Sequence, residues 1–246
     1  MFKRKCDPTL LELPNNVRPR QSTRAKRASL RLNNMEKCID LIIPKRVSQS
    51  YIQRFVAQHH DWITQTLKTL PEPVHFENGV RFPFFGETLT LNIQKDNSFK
   101  TTRISKHENI LTIQTRLDTS VQRLKRWIIK EARERLETLA QEKAALINET
   151  VGDVHVRDTT SRWGSCSHDR NLSFSWRLAF APKHAIDYVV AHEVAHFVHM
   201  NHSPEFWGLC EELCVDYKRG KKWMRENGKS LMKYQFDVFS PERDPK

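Results

Sequence analysis

Apolar side chains at Val121, Leu124, Ile128, Ala132, Leu136, Leu139 and Ile147 recur at helical steps, which predicts a long helix over about 121–147 with one side turned to a core. A second helical pattern carries Ile52, Phe55, Val56, His59, Trp62, Ile63 and Leu67. Ser48 is placed to cap its start and Pro71 to end it. Between these helices the period shortens. Residues 29–32 and 38–43 read as two short strands joined by a turn at Asn33-Asn34 and closed by Pro44, and strand-like pieces follow at Arg81–Phe85, Thr88–Ile93 and Ile110–Gln114. Val154–Val156 and the alternating run Leu172–Leu178 read as strands too. Ile186, Val189 and Val190 then mark a third helix, with Pro182 suited to its first turn and Asn201 to its end. Ser203-Pro204 opens another helix through Phe206, Trp207, Leu209 and Leu213, extending towards Trp223. No internal repeat is visible. The pattern predicts an α+β protein with a basic, flexible arm over 1–22, marked by Pro8, Pro14 and Pro19, a small α+β unit over 23–116 and a second domain over 117–246.

A chain of 246 residues, 38% hydrophobic, can bury a sizeable core. No apolar run approaches the roughly 20 residues of a membrane span, and the basic N-terminus lacks the apolar segment of a secretory signal, so a cytoplasmic protein without membrane contact is expected. Five scattered cysteines fit a reducing compartment, and Cys210 and Cys214 read as core residues. The net charge of +12 is clustered. One group is Arg18, Arg20, Arg24, Lys26, Arg27 and Arg31; a second, on the long helix, is interleaved with Glu131, Glu134 and Glu137 and reads as a solvated face. The third is Lys218, Arg219, Lys221, Lys222 and Arg225. The first and third are candidate contacts for nucleic acid or nucleotides.

The candidate chemistry sits in His192-Glu193-Val194-Ala195-His196, with His202 following. Residues four apart on a helix share a face, so His192 and His196 can meet one ion, with Glu193 beside it. Three protein ligands and an open fourth position suit catalytic Zn2+, with Glu193 as acid/base for the metal-bound water. For the third ligand, Glu205, Glu211 and Glu212 are within reach in sequence, but the distance from His196 to His202 matches the metzincin pattern and favours the histidine. His199 stands where that pattern has glycine, and reads as a surface or supporting residue.

Four runs in order, Arg162–Ser167, Ser175–Leu178, Asp187–His196 and Asn201–Trp207, resemble the YgjP-like family of zinc metallohydrolases. Ile43–Ser48 and the helix through Trp62-Ile63 resemble that family's N-terminal unit. The resemblance implies a compact zincin-like metallopeptidase domain, akin to SprT-like and WLM-type proteases, with His192, His196 and His202 as ligands and Glu193 as acid/base. Ser175 departs from an expected asparagine. The candidate substrate-binding residues are Arg162, Gly164, Ser165 and Arg177: the glycine to let backbone approach the substrate, the arginines to stabilise an oxyanion or bind phosphate.

The leading expectation is a metallopeptidase acting on a protein or peptide held along a sheet edge. The alternative is a nucleotide phosphohydrolase, UTP pyrophosphatase-like, with Arg162, Arg177 and Lys183 on the phosphates; the scarcity of clustered carboxylates for magnesium counts against it. A non-enzymatic structural-zinc module would need a fourth protein ligand, and none is evident near His202.

Overall fold

The structure is a computed structural model that describes residues 11–33, 38–68, 72–116 and 119–236. The chain divides into two compact units, Met1–Glu72 and Pro73–Lys246. Its class is α+β, with three small mixed sheets and six α-helices among the described residues.

In the first unit, strand β3 (Cys38–Pro44) is flanked by β1 (Val17–Ser22), parallel to it, and β2 (Ser29–Asn33), antiparallel. Its central place explains its nearly continuous apolar sequence. Ile39, Leu41 and Ile43 pack on Ile52, Val56 and Ile63 of helices α1 (Gln49–Gln58) and α2 (His60–Lys68). The expected flexible arm over 1–22 needs correction at its end, because Val17 is buried opposite Ile39 and Arg20 pairs with Asp40 at 2.7 Å. Pro19 is compatible with this because β1 is an edge strand, where a missing donor is tolerated. Ser48 does cap α1, its hydroxyl accepting from the Tyr51 amide. The single helix expected from Ser48 to Leu67 is nevertheless two. At His59 the backbone leaves helical geometry (φ −106°, ψ 10°), and its ring Nδ1 donates to the Phe55 carbonyl at 2.8 Å. The predicted turn residue Asn34, the helix stop at Pro71 and Pro8 lie outside the described residues.

The second unit begins with a sheet in the order β4 (Arg81–Phe84), β5 (Glu87–Lys95), β7 (Ile110–Thr115), β6 (Arg103–His107). Here the domain boundary expected near 116 is corrected. Phe82 packs on Phe180 at 6.0 Å between ring centroids and Phe84 on Trp127 at 5.1 Å, so this sheet shares its core with the C-terminal half of the chain. Helix α3 (Ser120–Leu146) buries the stripe Leu124, Ile128, Ala132, Leu136 and Ala140, as its period predicts. A second sheet has the order β8 (Val154–Arg157), β10 (Leu172–Ser175), β9 (Gly164–Cys166), which leaves β9 at an edge. The strand predicted over Leu172–Leu178 stops at Ser175. From Trp176 to Phe180 every side chain is buried, which no two-faced strand pattern provides, and the chain forms a 3-10 turn.

Helix α4 (Lys183–Ala195) is apolar nearly all round and sits in the interior, contacted by α3, β9, α5 (Pro204–Leu213) and α6 (Tyr217–Asn227). It ends at His196 rather than Asn201. The helix expected to run from Ser203 towards Trp223 is likewise two, parted at Cys214. Helix α6 can cross α4 closely only because residue 220 is glycine: a Cβ there would lie 2.5 Å from Tyr188 Cβ and closer still to the His184 carbonyl oxygen. No helix among the described residues is long and apolar enough to cross a membrane.

One buried charge ties three of these helices together. Lys143 of α3 reaches Asp187 of α4 and the Leu213 carbonyl at the end of α5, each at 2.6 Å. Lys143→Ala leaves both partners without their cation in a largely closed interior. It should lower unfolding stability by about 3 kcal/mol in urea titrations, an expectation that a loss below about 1 kcal/mol would refute.

Candidate metal centre

His192 and His196 occupy the last turn of α4 and its C-cap, so the helix's four-residue spacing puts both rings on one face. The chain then turns, His196 Nδ1 donating to the His199 carbonyl at 3.0 Å. A carbonyl oxygen only accepts, so this bond places the proton on Nδ1 and leaves His196 Nε2 with a free lone pair. His199 therefore contributes its backbone, in the supporting place expected of it. The return of the chain is fixed by Ser203, whose hydroxyl accepts from the Phe206 amide and starts α5 directly after His202. Ligating atoms of His192, His196 and His202 consequently lie within 4.8 Å of one another. Phe206, fully buried, forms the floor, its ring centroid 4.6–5.0 Å from all three imidazoles.

The donor set fits a zinc ion. Nε2 of His192 and Nε2 of His202 face each other at 3.1 Å. Two ligands at the Zn–N distance of about 2.05 Å in a tetrahedron are separated by roughly 3.3 Å, so the spacing is close to that of a shared ion. Burial, with help from His196, His202 and Lys221, pushes His192 down to about 4, and burial also lowers His196. Both are neutral near pH 7, as ligation requires. Among the described residues no carboxylate or thiol joins this group, so Glu205, Glu211 and Glu212 are not gathered with it. Glu205 is turned to solvent near Ser203, and Glu211 pairs with Lys218. Cys210 and Cys214 are buried, their thiols pushed up to about 12, chiefly by burial, in keeping with core residues.

Glu193 is 6% exposed and points towards the edge strand. A Cβ on Gly164 would lie 2.5 Å from its Oε1, so the glycine leaves room for the carboxylate. Burial pushes Glu193 up to about 7, against the pull of Arg162. This is the range in which a group can both take and return a proton at neutral pH.

The remaining predicted residues separate. Gly164 lines a cavity of about 830 Å³ together with His192, Glu193 and Trp163, and its far wall is α6. Arg162 is near enough to act on Glu193 electrostatically, while its side chain lines a different, polar recess that also holds Ser165. Arg177 is corrected outright. It is fully buried, stacked on Trp176 at 4.3 Å, and bonded to Asp158 and the Tyr234 carbonyl, so it braces the fold and reaches no substrate. Lys183 packs against Gly86 in a third recess, away from the histidines. Ser175, in place of the expected asparagine, is buried and donates to the Thr159 carbonyl at 3.4 Å. What the motifs did not reveal is the wall formed by α6, although the helical spacing of its lysines was a usable signal.

An interior helix that ends in two neutral histidines and carries a buried, raised glutamate beside an edge strand is the arrangement of a metal-dependent hydrolase. The sequence model described as "YgjP-like, metallopeptidase domain" matches residues 26–227, and the chain belongs to that family of metallopeptidase domains. No curated protein and no solved structure matches the chain.

The raised Glu193 carries a stability cost in the metal-free protein. Its unfolded value is near 4.5 and its folded value about 7, so the folded state binds the extra proton between these pH values and loses stability as pH rises through them. Metal-free Glu193→Gln should match the wild type near pH 4.5 and exceed it by roughly 3 kcal/mol above pH 7. Thermal or urea melts at pH 5 and pH 8 measure this, and a gap independent of pH would count against the buried carboxylate.

Proposed function

We propose that the protein is a zinc-dependent peptidase in which His192, His196 and His202 hold the ion and Glu193 is the acid/base. The observation that carries this is the buried carboxylate of Glu193, raised towards neutrality, beside three converging imidazoles. Zinc, when bound, supplies a Lewis acid that lowers the pKa of water and polarises the carbonyl to be attacked.

The chain's own residues do the rest. Glu193 Oε1 lies against Gly164 of β9, so a peptide paired along this edge strand would pass the carboxylate at backbone distance. Glu193 takes the proton of the attacking water and returns it to the leaving amine. Its shielding from bulk water keeps that proton from exchanging away. Neutral His192 and His196 keep their lone pairs for the ion, and Phe206 and the His199 carbonyl hold the rings in place.

The nucleotide reading is the weaker one. Of the three residues expected to clamp phosphates, Arg177 is committed inside the fold and Lys183 faces another recess. A cytoplasmic location and contact with nucleic acid through the basic groups remain part of the proposal. Three cations of the group on α3 are paired within their own helix, as Lys130–Glu134, Arg133–Glu137 and Arg135–Glu131.

The direct test is zinc content and cleavage of an unfolded protein such as casein. Glu193→Gln should keep one zinc per chain and lose at least about 100-fold in turnover, while His192→Ala and His196→Ala should lose the ion. A Glu193→Gln protein that still cuts at the wild-type rate contradicts the assignment.

A further inference from the structure

The cavity beside the histidines has a wall that the mechanism does not use. Helix α6 contributes Lys218, Lys221, Lys222 and Arg225 to it. These positions follow the i, i+3, i+4, i+7 rule, so the four cations form one stripe along the helix. The adjoining side of α6 holds Tyr217, Gly220 and Met224, which are buried, and Gly220 seats the helix on α4. The stripe's direction is therefore set by packing, and it faces the same space as His192 and Glu193.

Like charges at these spacings repel, and the cavity does little to relieve them. Among the described residues, the one carboxylate lining it is Glu193, which is buried against Gly164. Lys218 has Glu211 at 3.1 Å and Arg225 has its neighbour Glu226 at 3.3 Å, both on exposed surface. Lys221 lies with its Nζ 3.6 Å over the Trp207 ring and 2.8 Å from the Tyr217 hydroxyl, an arrangement that fixes where this cation lies. Among the described residues, Lys222 is exposed and pairs with no carboxylate. A positively charged wall in a cavity that apolar Trp163 and Met224 also line is suited to a carbon stem that ends in a negative charge.

We propose that this wall is a specificity subsite for an acidic side chain, aspartate or glutamate, on the peptide held along β9. The proposal rests on the peptidase reading and adds the class of residue that the substrate must carry on one side of the cut bond. The preference should weaken with salt, since the stripe is exposed.

Its test uses the full chain, zinc-loaded, and two labelled peptides that differ only in carrying Glu or Gln at each position around the centre. Binding is read by fluorescence anisotropy on Glu193→Gln, and cleavage on the wild type. The Glu peptide should bind and be cut about tenfold better at low salt. Lys222→Glu with Arg225→Glu, both clear of the ligand histidines, should abolish or invert that preference with zinc content unchanged. Equal binding and cutting of the two peptides overturns the subsite while leaving the peptidase reading in place. If neither peptide is cut by zinc-loaded wild type and UTP is hydrolysed instead, the peptidase reading fails and the subsite falls with it. A preference that survives the charge reversals also overturns the assignment to α6.

Discussion

The interior position of helix α4 governs the rest of the molecule. A helix buried on nearly every side has little room for polar groups, yet α4 carries His192 and Glu193 in its last turn and ends on His196. Each would carry a charge at some cost in this environment, and burial resolves this by pushing the imidazoles down and the carboxyl up. The same shielding that makes the site expensive to fold makes its lone pairs and its proton available for chemistry. Neighbouring elements are arranged to permit it: Gly164 leaves room for the carboxylate, Gly220 brings α6 close, and Lys143 holds α4 to α3 and α5.

The aromatic residues after the turn that follows His196 extend this arrangement. Phe206 fills the space under three imidazoles with a flat apolar surface, so their positions are fixed by packing as well as by the hydrogen bond from His196 to the His199 carbonyl. Trp207 stacks on His202 and offers its other surroundings to Lys221. One short helix thus supports the third histidine and also orients a cation of the cavity wall.

Much of this is legible in the sequence. The stripe on α3, the caps at Ser48 and Ser203, and the convergence of three histidines arise from periods and spacings that report local geometry directly. Less legible are features decided by distant contacts. Arg177 looks like an available cation in sequence, but Asp158 and Tyr234, far from it in the chain, consume it. Strand β9 is three residues long and has no pattern of its own; only its pairing with β10 makes it an edge beside α4. The division near residue 72 is hidden because Phe76 and Phe82 find their partners about 100 residues later or more, in Phe180 and Phe236. The breaks at His59 and Cys214 lack proline or glycine, so no local signal announces them.

In the proposed site three imidazoles and no other side chain hold the ion, which leaves a position open for water. Zinc-edge X-ray absorption on the purified, zinc-loaded protein measures this most directly. Three nitrogen neighbours and one oxygen neighbour at about 2.0–2.1 Å, with no sulfur, are expected. A sulfur neighbour near 2.3 Å, or a closed shell of four protein ligands, would contradict it and mark the site as structural rather than catalytic.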